Sequence, residues 1–159
     1  MEAEQLGRLI DCQAAALTLY ARQWCAAAED VVQEAFVGLA RNTPDDPVAW
    51  LFRVVRNGAI SAGRSERRRR SREEKTAGRA WFVTAPGDRL DAVAAAAALE
   101  QLPADEREAV VAHVWGGLSF AQIGELTGSS AATAHRRYAA GFANLRARLD
   151  EPCPTSHLT

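Results

Sequence analysis

The chain has 159 residues, 19 basic and 20 acidic, for a formal net charge of −1. That length allows one larger domain or two small ones. The near-neutral sum hides a polarised distribution: residues 1–52 carry −5, residues 53–79 carry +7, residues 80–132 carry −5 and residues 133–159 carry +2. All the cations but Lys75 are Arg, the side chain suited to bidentate contacts with phosphates and base edges. No apolar run is long enough to span a bilayer, and the first residues lack a basic segment leading into an apolar one. Neither membrane insertion nor secretion is therefore expected, and the chain reads as cytoplasmic. Cys12, Cys25 and Cys153 show no CxxC spacing and His113, His135 and His157 do not cluster, so no metal, cofactor or disulfide framework is expected. The absence of a glycine-rich phosphate loop and of an HExxH motif argues against an enzyme.

With 33 alanines and apolar residues recurring at three and four, the sequence predicts an all-α fold. Leu6, Leu9, Ile10, Leu17, Tyr20, Ala21 and Trp24 form one stripe over about residues 3–25, which predicts an amphipathic helix with that stripe as core. Cys12 and Cys25 lie too far apart along it to bond. A second helix is expected from Glu29 and Asp30, whose charges suit the positive end of a helix dipole, to about Arg41. Residues 42–46, Asn-Thr-Pro-Asp-Asp, break it. Pro47 suits the first turn of a third helix, which can continue through residue 70 because no further proline interrupts it before Pro86, with Val48, Leu51, Val54, Val55 and Ile60 on its buried side and Arg53, Arg56, Asn57 and Arg64 on another face. Trp50 and Phe52 are read as core in preference to base-stacking groups. From residue 65 to residue 87 apolar periodicity fades, apart from Ala80-Trp81-Phe82-Val83, and the stretch reads as a flexible linker. Two readings of residues 64–72 stay open, a strip that tracks phosphates and a solvated linker.

The second half predicts a helix from about Asp88 to Leu102, then another with Pro103 in its first turn, ended by Gly116-Gly117. Ser119 is a candidate N-cap for the short helix FAQIGELT closed by Gly128, and Ser130 for a final helix from Ala131 to about Leu149. Short helix, glycine turn and long helix make a helix-turn-helix pattern, with Thr133, His135, Arg136 and Arg137 in the first two turns of the recognition helix. A structural alternative for Arg137 is a salt bridge to an acid of the preceding helix such as Glu125. The predicted organisation is two small helical domains joined by a flexible linker: residues 1–68, a linker over 69–87, a helix-turn-helix domain over 88–151, and a frayed tail over 152–159.

In the first half, EDVVQEAFVGLA followed after a short loop by AWLFRVVRNGAIS and an Arg run resembles the bacterial sigma factors of the extracytoplasmic-function group. LEQLPADEREAVVAHVWGGLSFAQIGELTGSS resembles that family's promoter-distal domain, and both blocks stand in the family's order over about residues 6–149. The resemblance implies that Asp30, Gln33 and Glu34, matching an Asp-x-x-Gln-Glu motif, dock on the clamp helices of the largest subunit of core RNA polymerase. Acidic and amide groups on an exposed turn suit such a task, because they can pair with a basic partner helix and set register; the bland alternative for Asp30 is a favourable charge on the helix dipole. The resemblance further implies that the loop over residues 42–47, with Asn42, captures a flipped base of the promoter −10 element while Arg53, Arg56, Asn57 and Arg64 face that DNA. The last helix, through Ser130, Thr133, His135, Arg136 and Arg137, is implied to read the −35 element. Here the sequence departs from the family, with Ala139 and Ala140 where an aromatic and a basic residue are frequent and Arg136 where Ser is usual, which bears on −35 preference.

Promoter DNA, core polymerase and an anti-sigma factor are thus the implied partners, with no membrane insertion. In the free chain the two domains are expected to touch only through a small polar interface. The function implied is promoter recognition and transcription initiation without catalysis by the chain itself. Two alternatives stand beside it. One is a stand-alone helix-turn-helix regulator, since residues 104–149 also resemble the DNA-binding domain of response regulators, although the first half lacks an alternating strand-helix receiver pattern. The other is a degenerate sigma-like module that binds only protein.

Overall fold

A computed structural model describes residues 2–73 and 90–150, and among them every regular element is a helix. In chain order these are α1 (Ala3–Ala21), α2 (Ala28–Ala40), α3 (Pro47–Glu73), α4 (Leu90–Glu100), α5 (Ala104–Val114), α6 (Phe120–Thr127) and α7 (Ala131–Asp150). The expected start of the fourth helix at Asp88, the Ala80-Trp81-Phe82-Val83 segment, most of the linker and the tail over 152–159 lie outside the described residues.

The first three helices pack through Leu17, Tyr20 and Ala21 of α1, Val32, Ala35, Phe36 and Leu39 of α2, and Leu51, Phe52, Val55 and Ala59 of α3, all buried. Each larger apolar side chain among them contributes about 1.5–3 kcal/mol by leaving water. The approach of α3 to the turn after α1 depends on Gly63, where a Cβ would lie 2.1 Å from the Trp24 carbonyl oxygen; only glycine allows the backbones this close. The N-terminus of α2 has no side-chain cap of its own. Its cap is tertiary: the Glu66 carboxylate of α3 accepts hydrogen bonds from the Ala26 N–H at 3.1 and 3.2 Å and from the Ala27 N–H at 3.4 Å, satisfying donors that a helix start leaves open.

Two expectations change here. Helix α3 runs on to Glu73, into the stretch expected as linker from residue 69, because Arg and Glu are strong helix formers and neither Pro nor Gly interrupts them. Ile10, expected in the core, is 39% exposed. Of that stripe only Leu17, Tyr20 and Ala21 are fully covered, and Leu6, Leu9 and Trp24 are half-buried.

The second unit, α4–α7, buries Val110, Val111, Ala112, Leu118, Ile123, Ala134 and Leu145. Pro103 occupies the N-cap position of α5, one residue before the expected first turn. Helix α6 starts with a reciprocal capping box: the Gln122 N–H donates to Ser119 Oγ at 3.2 Å and the Ser119 N–H donates to Gln122 Oε1 at 2.8 Å. It ends at Gly128 in the left-handed region, φ 67° and ψ 33°. Ser130 Oγ then accepts from the Thr133 N–H at 3.1 Å and caps α7, completing a helix-turn-helix.

The two units share one continuous hydrophobic cluster, with α1 against α5 and α3 against α6. The contact is not the small polar interface expected. The Phe52 ring lies so close to Gly116 that a Cβ there would fall 2.4 Å from Cζ. Beside it, the Tyr20 hydroxyl and the Arg56 Nε both donate to Glu108 Oε1, at 2.6 and 2.7 Å. Apolar closure supplies the driving force, and the polar groups caught in it are tolerable because they are paired.

Candidate nucleic-acid interface

Helix α3 carries the long basic face. Arg53, Asn57 and Arg64 are exposed on it, whereas Arg56 turns toward the second unit and pairs with Glu108, whose side chain is 9% exposed. The Arg56 guanidinium also sits over the Trp24 ring, 5.8 Å from its centroid. The Glu108 hydrogen bond holds the Arg56 pKa above its ordinary value despite the opposing effect of burial. Burial, and then the negative Glu108 beside it, push the Tyr20 phenol well above 10.0. The four polar residues of α3 therefore do not act as one free face: three meet water and one is held by an acid of the other unit.

The loop before α3 is held at both ends. Asn42 is exposed, and its Nδ2 donates back to the Gly38 carbonyl at 2.7 Å, which at the end of α2 also accepts from the Arg41 N–H at 3.1 Å. Asp46 Oδ1 accepts from the Ala49 N–H at 3.0 Å and so caps α3, while its Oδ2 accepts from Gln122 Nε2 of α6 at 2.6 Å. Asp46 was legible as a cap from the Asp-Pro pair at the helix start; its link to Gln122 was not. Phe52 is fully buried and Trp50 is half-buried against α2, near Gly38. Both sit as core, in keeping with the sequence.

On α2, Asp30, Gln33 and Glu34 are exposed in one row. With Val37, itself 47% exposed, they line an open groove of about 400 Å³. Glu29 next to them is engaged by Arg22, whose hydrogen bond lowers the carboxyl pKa. The row thus combines uncommitted polar groups with an apolar residue, the composition of a protein-docking rim.

On α7, Arg136 is exposed and donates to Thr133 Oγ1 at 3.1 Å. Arg137 pairs with Asp105 at the start of α5, at 3.1 Å; the acid comes from α5 and not from α6, where Glu125 lies. His135 is exposed with its ring edge-on to Phe120, centroids 4.9 Å apart, and Phe120 in turn stacks on His113 at 4.4 Å. Ser130 acts as the cap, so its hydroxyl oxygen is already an acceptor for the chain itself. An open groove of about 540 Å³ runs between Pro103, Asp105 and Glu106 on one side and Thr133, Arg136 and Arg137 on the other. Ala139 and Ala140 are exposed, so this face is smooth and carries its charge near its N-terminal end.

Among the described residues no group of three or more His, Cys, Asp or Glu is placed to hold a metal ion, and no helix is long and apolar enough to cross a membrane. Two helical units, one with an Arg-lined helix beside an exposed acidic and amide row and the other a helix-turn-helix, are the architecture of a DNA-binding protein. Comparison with known proteins narrows the class. The family model for sigma-70 region 2 matches residues 9–69 and that for sigma-70 region 4 matches residues 92–145. RNA polymerase sigma factor CarQ of Myxococcus xanthus is 34% identical over 133 residues, covering 79% of this chain and 76% of CarQ. The ECF RNA polymerase sigma factor SigJ of Mycobacterium tuberculosis is 35% identical over 127 residues, 69% of this chain, although the chain spans only 39% of SigJ. The chain belongs to the sigma-70 family of RNA polymerase sigma factors, which are transcription initiation factors, and within it to the extracytoplasmic-function group.

Two solved structures share the fold. The sigma factor RpoE of Bartonella quintana, crystallised with the anti-sigma factor NepR, matches with a TM-score of 0.72 at 23% identity over 96% of this chain and 100% of that one. CnrH in complex with the cytosolic domain of CnrY matches with a TM-score of 0.60 at 25% identity over 96% of this chain and 92% of that one.

Proposed function

We propose that this sigma factor joins core RNA polymerase through the α2 row Asp30, Gln33 and Glu34, reads the promoter −35 element with α7, and engages the melted −10 element with α3 and the loop over residues 42–47. The observation that carries the reading is the division of labour along the chain: an exposed acidic and amide row for a protein, and Arg-bearing helices for DNA, in separate units. Promoter melting needs a partner that unstacks and holds bases; shaped contacts and nearby cations offset that cost. Arg53, Asn57 and Arg64 supply the exposed polar face on α3, and His135 and Arg136, with the half-buried Thr133 and Arg137 beside them, supply it on α7, with Ser130 fixing the helix start. The chain catalyses no reaction itself in this reading and works in the cytoplasm at the nucleoid. An anti-sigma factor is proposed as a further partner, supported by the complex of the structural relative RpoE with the anti-sigma factor NepR.

The test is co-purification with bacterial core polymerase followed by run-off transcription on a fragmented genomic library from the same source. Binding with new start sites is the expected result. A Glu34→Lys variant should lose core binding while its second unit still binds promoter duplex. No binding to core polymerase by the unaltered chain would return the stand-alone regulator to first place, and binding without any start site would favour a protein-interaction module.

A further inference from the structure

A row of five rings crosses α5, α6 and α7: Phe142, Tyr138, His113, Phe120 and His135. Tyr138 stacks on Phe142 and stands edge-on to His113, with centroids 4.7 Å apart. His113 lies nearly flat on Phe120, at 4.4 Å and 21°, and Phe120 is perpendicular to His135, at 4.9 Å and 89°. The turn from α5 to α6 brings the middle of the row together. Gly117 takes φ 70° there, and the Leu118 N–H donates to the Ala112 carbonyl at 3.1 Å. The Leu118 carbonyl oxygen in turn stands 2.7 Å from His113 Nδ1. A carbonyl can only accept, so this nitrogen carries the proton and the imidazole is pinned. Phe120, the first residue of α6, is thus held by a fixed ring on one face and by Tyr138 at 5.3 Å.

His113, Phe120 and Tyr138 are half-buried, whereas His135 is exposed. An exposed histidine has several staggered rotamers open to it. Edge-to-face contact with a ring that is itself held favours one of them. We infer that Phe120, braced by His113, is a positioning residue for −35 readout: it holds the His135 imidazole in one orientation before DNA arrives, so that preference at the base pair His135 reads depends on Phe120 as well. The inference rests on the assignment of α7 to −35 DNA. A side chain already held in place loses less freedom on binding, and the donors and acceptors of a base edge reward only a correctly aimed partner. Arg136, the neighbouring reader, has a different support. It donates to Thr133 Oγ1, which also accepts from Ser130 Oγ, all at the start of α7. The two readers are therefore braced separately, and removing one brace leaves the other in place.

The test is selection of a random-sequence duplex library by the full chain, sequenced to give base preference column by column. His135→Ala and Arg136→Ala identify the column each side chain reads. Phe120→Leu, which keeps apolar bulk but not the ring, should lower preference in the His135 column at least about fivefold. It should leave the Arg136 column and the helicity by circular dichroism unchanged. Adding His135→Ala to Phe120→Leu should lower the His135 column no further than His135→Ala alone, because the two act through one contact. Phe120→Tyr, which keeps the ring, should retain the preference. If Phe120→Leu loses helicity, His113→Leu, which removes the stacked ring and leaves Phe120 in place, carries the same expectation. An unchanged His135 column in the folded variant would overturn the positioning role. Equal losses in both columns would overturn it too, since they mark displacement of α7 as a whole. Failure of the α7 assignment reads differently, and takes the inference with it: the unaltered chain enriches no sequence, or one that neither His135→Ala nor Arg136→Ala alters.

Discussion

Arg56 and Arg137 are both ion-paired arginines on helices proposed to meet DNA, yet they sit in opposite physical regimes. Arg56 pairs with a carboxylate that is 9% exposed, at the seam between the units, and shares it with the Tyr20 hydroxyl. Arg137 pairs with Asp105, whose side chain is 65% exposed, inside the second unit. The first pair is hard to break one-sidedly because it leaves a charge in a poorly solvated place; the second is screened by water and contributes little to stability. The α7 pair can therefore be given up at small cost, whereas breaking the α3 pair one-sidedly strands a poorly solvated charge.

The largest expected effect comes from removing the packing under the buried pair. Phe52→Ala should cost about 3–5 kcal/mol, read as a fall in the urea midpoint, with the two units parting before either melts. Next, Glu108→Ala, which strands Arg56 and the Tyr20 hydroxyl, should cost about 1–3 kcal/mol; a change as small as that of an exposed acid would erase the contrast between the pairs. Arg136→Ala should weaken duplex binding by a comparable amount, about 1–3 kcal/mol if the side chain reaches a base edge, and relax sequence preference at one position. A uniform loss across sequences, with a shallower salt slope, would instead make Arg136 a phosphate contact. Smallest in stability is Asp105→Asn, within about 1 kcal/mol. It frees Arg137, so duplex affinity should rise and its dependence on log salt should steepen by about one contact.

The pH dependence sharpens the same contrast. The Tyr20 pKa in the folded chain lies above its ordinary 10.0, so the phenol favours folding fully below that value, and the contribution is lost as pH rises through the folded pKa. Melting temperature should fall on the alkaline side of pH 10 more steeply in the unaltered chain than in Tyr20→Phe. Glu29, held low by Arg22, works in the other direction: its contribution is present above its ordinary 4.5 and fades as pH falls through the folded value. Because the Glu29 side chain is largely exposed to water, that acid-side effect should be the weaker one.

Much of this was legible from local sequence. Pro47 after Asp46, the Ser119 and Ser130 caps, Gly128 at the helix-turn-helix corner and the burial of Phe52 all follow from rules that act within one turn of chain. The Asp30, Gln33 and Glu34 row came from the family resemblance; that the three share one side of α2 follows from helical spacing. What local pattern misses is the partner. Periodicity marked Ile10 as apolar without saying whether anything would cover it. The fading of apolar periodicity after Arg64 read as linker, although Glu66 carries a cap for α2 and the helix runs on to Glu73.

Sequence by itself therefore determined the all-α fold, most of the helix starts and the helix-turn-helix, because hydrogen bonds within a helix and caps at its ends join residues at most a few positions apart. Tertiary structure alone decided which arginines are free and which are held. Tyr20 and Glu108 are 88 positions apart and Arg56 and Glu108 are 52 apart. No local propensity encodes such pairs, and they appear only when packing of the apolar faces brings the two units together.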